Sequence, residues 1–476
     1  MSWLTTYNTF EWVLRLVMVP VILRRRLAPP TAMAWLAVVF FMPIVGVVLY
    51  LLIGDARLGK RRVKSYARVG SLTRTAARMA MIDSRKRRPD LGDELAPVVL
   101  QAERISGNPI VGGNHVELLP DTDGMIDRLV ADLDAAKHHV HLLYYIFRND
   151  EIGYRVCDAI ARARQRGVTV RLLADAVASR PFLRGTCCSE LREAGVQVRA
   201  ALPVAPLRRS FARLDLRNHR KLTVVDGRVA LAGSQNIVNA DYGHKKAGAW
   251  VDLSARFTGP VVHQFQLVFL SDWTFETDEV LADDALFPDL EPAGEIAAQC
   301  VPTGPTHDGE SFRRVLLAAL GAARRKIIIT SPYLVPDEPT LLALTMAAER
   351  GVDVQIVMPY RSDHPLVDAA GRAYLTDLLD AGVTIHRFKP GMLHAKTITV
   401  DDAFGMLGSA NMDIRSFELN FELNTLLYGP QVTAELRFAQ QAYIRDSVPL
   451  SPEAWDARPV LARYADEAAS LLSPLL

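Results

Sequence analysis

One pattern occurs twice, and it constrains this chain more than any other feature. Residues 219–236 read HRKLTVVDGRVALAGSQN and residues 394–411 read HAKTITVDDAFGMLGSAN; aligned without a gap, both follow H-x-K-x4-D-x6-G-S-x-N. Chance does not place so long a string of specified polar residues twice in one chain. The surroundings repeat as well. VHLLYYIF at 140–147 is a buried-strand run, 153–166 has helical spacing, and VTVRLLA at 168–174 is a second strand. In the second half KIIIT leads to SPYLVPD, a helical stretch to Arg350, and VDVQIVM; the turn Arg166-Gly167-Val168 has its counterpart in Arg350-Gly351-Val352. The chain therefore reads as α/β, with two lobes at 108–290 and 291–476 forming a pseudo-two-fold pair, each expected to be a mostly parallel sheet flanked by helices.

A different composition precedes the lobes. The 28 residues between Arg26 and Asp55 carry no charge, more than the ~20 apolar residues that cross a bilayer core. They predict a retained membrane helix, kinked at Pro43, with Trp35 and Tyr50 near its two ends at the membrane interfaces. Residues 12–23 are a weaker apolar stretch that either spans or lies in the interface, and Glu11 and Arg15 within reach of it are spaced to pair. Residues 1–55 thus read as transmembrane or re-entrant helices forming an anchor, and 56–107 as a basic juxtamembrane linker. The first 90 residues hold 16 Lys and Arg against 4 Asp and Glu, whereas the remainder is mildly acidic. That split argues against a nucleic-acid partner and sets the basic stretch against anionic headgroups. The larger cluster, Arg57 to Arg68, follows the apolar run, so the positive-inside tendency places the lobes on the cytoplasmic side of the membrane. Four cysteines, Cys157, Cys187, Cys188 and Cys300, are too few for a disulfide framework and read as reduced, with Cys187-Cys188 a potential oxidation site.

The duplicated residues suggest a chemistry. His and Lys at i, i+2 on a strand project to one face, and Gly-Ser-x-Asn supplies a bend, a hydroxyl and an amide. Two copies facing each other would surround a tetrahedral oxyanion. His219 and His394 would stand at its ends for in-line displacement at phosphorus, one as nucleophile and one as acid and base. Lys221, Lys396, Asn236 and Asn411, with Ser234 and Ser409, would neutralise the non-bridging oxygens, a task often given to a metal. Asp226 and Asp401 complete the motif; we read them as ordering the turn and the lysine more than touching substrate. Tyr144, Tyr145 and Tyr333 border buried strands and read as core. His138, His139 and His141 lack partners at metal spacing, and no metal motif, P-loop or dinucleotide fingerprint occurs.

The doubled motif resembles the phospholipase D superfamily. PPTAMAWL at 29–36, GKRR at 59–62, SPYLVPD at 331–337 and NMDIRSFELNFE at 411–422 resemble the bacterial cardiolipin synthases within it, over nearly the whole chain. The resemblance implies two phospholipase D-like lobes. It implies transfer of a phosphatidyl group from phosphatidylglycerol to a histidine, His219 in the first motif, and then to a second phosphatidylglycerol, giving cardiolipin and glycerol. No cofactor is implied. Glu422 stands 28 residues after His394, where related enzymes place a carboxylate that orients the ring; Asp252 is the analogous candidate for His219. The alternatives are a phospholipase D-type hydrolase, a phosphatidyltransferase using another alcohol, a nuclease of the same superfamily, or a non-catalytic lipid-binding scaffold.

Overall fold

The computed structural model describes residues 3–25, 29–54, 89, 91–203, 216–243, 247–305, 311–471 and 473. The basic stretch from Lys60 to Arg88 lies outside them. The chain divides into two compact units, one containing the N-terminal helices and the other the body.

In the N-terminal unit the uncharged run is two helices, Pro29–Phe41 and Pro43–Ile53, preceded by a helix Trp3–Leu23. This corrects the expectation of one kinked spanning helix. Pro43 has no N–H and pushes the residue before it out of helical conformation; Met42 sits at φ −134°, ψ 69°. The two helices fold back on each other. The rings of Trp35 and Tyr50 lie 5.3 Å apart, edge to face, whereas fifteen residues of straight helix would separate them by about 22 Å. Gly46 permits the close approach, since a Cβ there would come within 2.8 Å of Val39 Cα. Arg15 pairs with Glu11 at 3.1 Å and donates to the Phe40 carbonyl, freed at the break, at 2.9 Å. Among the described residues, no helix is long and apolar enough to cross a membrane.

The body is built on one fifteen-stranded sheet whose halves repeat. In the first half Val111–Leu119, Ser254–Thr258, Val229–Gly233, Lys221–Val225, His139–Tyr144, Thr169–Asp175 and Gln197–Ala201 lie side by side in that order. The second half runs Ile296–Thr303, Glu422–Tyr428, Phe404–Gly408, Thr397–Val400, Lys326–Thr330, Asp353–Pro359 and Thr384–Phe388, with Ser447–Pro449 added at the edge. The antiparallel pair of Val111–Leu119 and Ile296–Thr303 joins the halves. Among the described residues, each half of this sheet has two parallel ladders, and its others are antiparallel. The mostly parallel sheet expected from alternating strand and helix signals is thus a mixed one. The signal passed over was Asp226-Gly227, both at positive φ (52° and 63°), a turn that folds Lys221–Val225 straight back on Val229–Gly233 as a hairpin.

The helix Gly92–Ser106 falls within the segment expected as linker. Its Leu95, Val98, Val99 and Ala102 are buried in one apolar cluster with Phe312, Val315, Leu316 and Ile327 of the second half. Cys157 and Cys187 are bridged, which corrects their reading as reduced; helices Glu151–Gln165 and Thr186–Glu193 bring together residues 30 apart in sequence. Cys188 and Cys300 are free and buried. His139 and His141 both bond Gln266, and Arg171 reaches His141, so these histidines belong to a buried polar cluster.

Candidate active site

The two motifs meet through reciprocal backbone pairing between the halves. In the first half the segment ahead of Lys221–Val225 pairs with the second: His219 N–H donates to Phe421 O at 2.9 Å, and Phe421 N–H to Arg217 O at 3.0 Å. In return Met392–Leu393 runs parallel to Trp250–Val251, and His394 N–H donates to Val251 O at 2.7 Å. Each histidine is therefore laid beside the other half's carboxylate. His219 Nδ1 lies 3.0 Å from Glu422 Oε2 and 3.0 Å from Ser409 O. His394 Nδ1 lies 2.6 Å from Asp252 Oδ1. The pairing expected from sequence, Asp252 with His219 and Glu422 with His394, is crossed in the structure. Asp252 and Glu422 occupy equivalent positions just before or at the start of equivalent strands, so the crossing follows the pseudo-symmetry. A proton on Nδ1 directed at a carboxylate leaves each Nε2 with its lone pair. Tyr145 packs edge-on against His219 at 4.8 Å and Trp250 against His394 at 4.4 Å.

Both histidines line one cavity of about 650 Å³, together with Tyr145, Arg148, Arg217, Asn236, Tyr242, Trp250, Tyr333, Asp363, His364, Asn411, Asp413, Arg415 and Asn420. Among the sequence-derived candidates, His219, His394, Asn236 and Asn411 reach this wall. Lys221 and Lys396 sit on the same strand faces, buried, each donating from Nζ to the carbonyl of its own histidine at 2.6 Å. Burial lowers Lys221 to about 7 and Lys396 to about 8, against the pull of Glu422 and Asp252. Burial also lowers both imidazoles, His394 further, with Lys396 adding to the effect. Although burial opposes ionisation, the imidazole beside each carboxylate holds Asp252 and Glu422 below their ordinary values. Burial thus favours neutral rings, while the carboxylates beside them stay charged.

Four candidates stand elsewhere. Ser234 Oγ donates to Asp252 Oδ1 and Ser409 Oγ to Glu422 Oε2, both at 2.5 Å, while each accepts a backbone N–H. The serines therefore brace the carboxylates instead of lining a phosphate site, because the Gly-Ser bend turns the hydroxyl into the protein. Asp226 and Asp401, which complete the motif in sequence, do not line the cavity. Asp226 accepts the N–H groups of Lys137, His138 and His139, and Asp401 those of Arg324, Arg325 and Lys326. Each thus fixes the start of the neighbouring strand at the end remote from its motif histidine. Tyr145 and Tyr333, read as core, are only partly buried and face the cavity. Tyr144 is buried and bonds Thr223. Arg148, Arg217, Asp363 and Asn420 were not legible, since they come from loops without periodicity, and Arg415 lies in a helix of only five residues, Ile414–Glu418.

Paired imidazoles on a duplicated α/β sheet, each backed by a carboxylate from the opposite half, define a phospholipase D-like protein. The fold is similar to that of phosphatidylserine synthase from Haemophilus influenzae Rd KW20, with a TM-score of 0.62 over 80% of this chain and all of that one, at 15% identity. The family described as "Cardiolipin synthase, PLD-like domain" matches residues 129–273 and 316–441, and "Phospholipase_D-nuclease N-terminal" matches 12–54. Cardiolipin synthase A of Yersinia pseudotuberculosis serotype O:1b and that of Yersinia pestis are each 36% identical over all of this chain and 98% of theirs. The chain belongs to the cardiolipin synthase family.

Proposed function

We propose that this protein makes cardiolipin by passing a phosphatidyl group from one phosphatidylglycerol to another. The observation that carries this reading is the single cavity holding two carboxylate-backed imidazoles. His219 Nε2 attacks phosphorus, forming a P–N bond as the bond to the glycerol oxygen breaks, and His394 gives that oxygen its proton. Burial disfavours a charged imidazole, and the anionic phosphodiester supplies the countercharge that His394 needs to carry the proton. In the second step the acceptor hydroxyl yields its proton to His394 and its oxygen displaces the P–N bond. Lys221, Lys396 and the amide of Asn236, whose Oδ1 is occupied by Ile146 N–H at 3.0 Å, neutralise the phosphoryl oxygens. The step exchanges one phosphodiester for another and requires no nucleotide.

Purified protein incubated in detergent with phosphatidylglycerol alone is expected to yield cardiolipin and glycerol. Phosphatidic acid as the main product would establish a hydrolase instead. The pH dependence of kcat/KM should be bell-shaped. On the acid side, activity is lost as pH falls and the nucleophile His219 takes up a proton, below the ordinary histidine value because burial lowers it. On the alkaline side it is lost as Lys221 and Lys396 discharge, near 7 to 8. A rate still rising above pH ~9 would remove the lysines from the mechanism.

The N-terminal unit we read as a membrane anchor whose helical hairpin enters from one face. Trp12, Leu16, Phe40, Phe41, Val45, Val48 and Leu51 are exposed in it, and legs of 13 and 11 residues reach only about 20 and 16 Å against a ~30 Å hydrocarbon core. The basic residues following the hairpin support a cytoplasmic face for the lobes. One observation favours the opposite face: the Cys157–Cys187 bridge, of a kind that persists in oxidising compartments. Labelling of a cysteine introduced at exposed Tyr464 with an impermeant thiol reagent in intact cells distinguishes the two. Protection is expected, and labelling would place the lobes outside.

A further inference from the structure

The cavity wall is not symmetric, although the motifs are. Arg148, Arg217 and Arg415 line it, and so does the carboxylate of Asp363. A carboxylate is poorly placed to meet an anionic phosphodiester, yet this one is held firmly. Tyr333 OH donates to Asp363 Oδ1 at 2.8 Å, and His364 Nε2 lies 3.3 Å from Oδ2. Its side chain is only 10% exposed.

Two amides in the same wall show the same polarity. Asn411 turns its NH2 to Asp413 Oδ2 at 3.1 Å, and Asn420 turns its NH2 to Glu422 Oε1 at 3.3 Å. Neighbouring carboxylates thus fix which end of each amide is the donor. Asn411 Oδ1 and Asn420 Oδ1 are then left buried and without a hydrogen-bond partner among the described residues. Asn236, the counterpart of Asn411, is turned the other way, with its oxygen occupied. Buried acceptors without donors are costly in a folded protein, and a ligand that brings hydroxyl hydrogens would satisfy them.

We propose that Asp363, with the free oxygens of Asn411 and Asn420, forms a polyol subsite that grips the glycerol headgroup of the lipid alcohol and so selects the acceptor. The inference rests on the transferase reading above and adds the residue that sets its specificity. An ammonium headgroup also supplies donors, but it would enter a cavity lined by three guanidinium groups, where a cation is repelled and an uncharged diol is not. Asp363 acts by binding the alcohol and takes no part in bond exchange.

The test uses the full chain in detergent with phosphatidylglycerol as donor and three soluble acceptors, radiolabelled glycerol, ethanol and ethanolamine. Transfer is read as labelled phosphatidylglycerol, as phosphatidylethanol and as phosphatidylethanolamine. Asp363→Ala is expected to lower the glycerol-to-ethanol transfer ratio at least tenfold. Tyr333→Phe, which removes only the hydroxyl that aims the carboxylate, should move the ratio in the same direction and serves if the first variant does not fold. An unchanged ratio in a folded variant overturns the proposal. So does a wild-type preference for ethanolamine over glycerol, which would make the subsite an ammonium site. Wild-type protein that transfers to none of the three would instead overturn the transferase reading, and the subsite with it.

Discussion

Replacement of His219 or His394 by alanine is expected to lower cardiolipin formation by about 10³-fold or more, and the double variant should be little worse than either single one. Groups that act as a unit are non-additive in this way, because removing any one leaves only binding and electrostatic stabilisation. The two single variants should fail differently. His394→Ala retains the nucleophile, and a donor whose leaving group departs without a proton should leave a phosphatidyl group trapped on His219, detectable by mass spectrometry after quenching at alkaline pH. His219→Ala cannot form that adduct. An adduct on His394 instead would reverse the two roles, and substantial turnover in either variant would refute a paired-imidazole mechanism. Folding is checked by thermal unfolding, since each substitution also strands a buried carboxylate.

Arg220 carries the largest expected effect on stability. It is the residue between His219 and Lys221 and is fully buried. Its guanidinium donates to Asp272 Oδ1 at 2.5 Å, Glu422 O at 3.0 Å and Thr303 O at 2.9 Å, tying the first half to the second. Asn218 also donates to Asp272, at 3.0 Å. Arg220→Ala removes one partner of a buried ion pair and should cost about 3–5 kcal/mol, seen as a lower denaturant midpoint. Arg220→Met combined with Asp272→Leu removes both charges and should recover much of that loss. Equal stability of wild type and Arg220→Ala would show that the guanidinium is not a tie between the halves. The second motif has Ala395 at this position, so the tie exists on one side only.

The doubled string announced the two-lobed architecture and predicted that His219 and His394 would be brought together, as they are on one cavity wall. A strand spacing of i, i+2 also anticipated the shared faces of His219 with Lys221 and His394 with Lys396. What sequence order could not reveal was which carboxylate serves which ring. That depends on Phe421 pairing near Asn218 and on Trp250–Val251 pairing with Met392–Leu393, contacts between segments well over a hundred residues apart. Nearness along the chain pointed to the wrong partner in both halves. Asp363 and the three arginines were hidden for a related reason: a stretch such as RSDHP reads as a turn, and only the fold places it in the cavity wall. The apolar run around Pro43 had the composition of a spanning segment, but composition does not report a backbone that reverses at Met42.

Because each half lends its carboxylate to the other half's ring, a lone ancestral half would have been inert until it met a twin. Fusion of such twins into one polypeptide releases them from identity. Arg220 against Ala395, Asp252 against Glu422, and the oppositely turned amides of Asn236 and Asn411 are differences that a homodimer encoded by a single copy could not have accumulated.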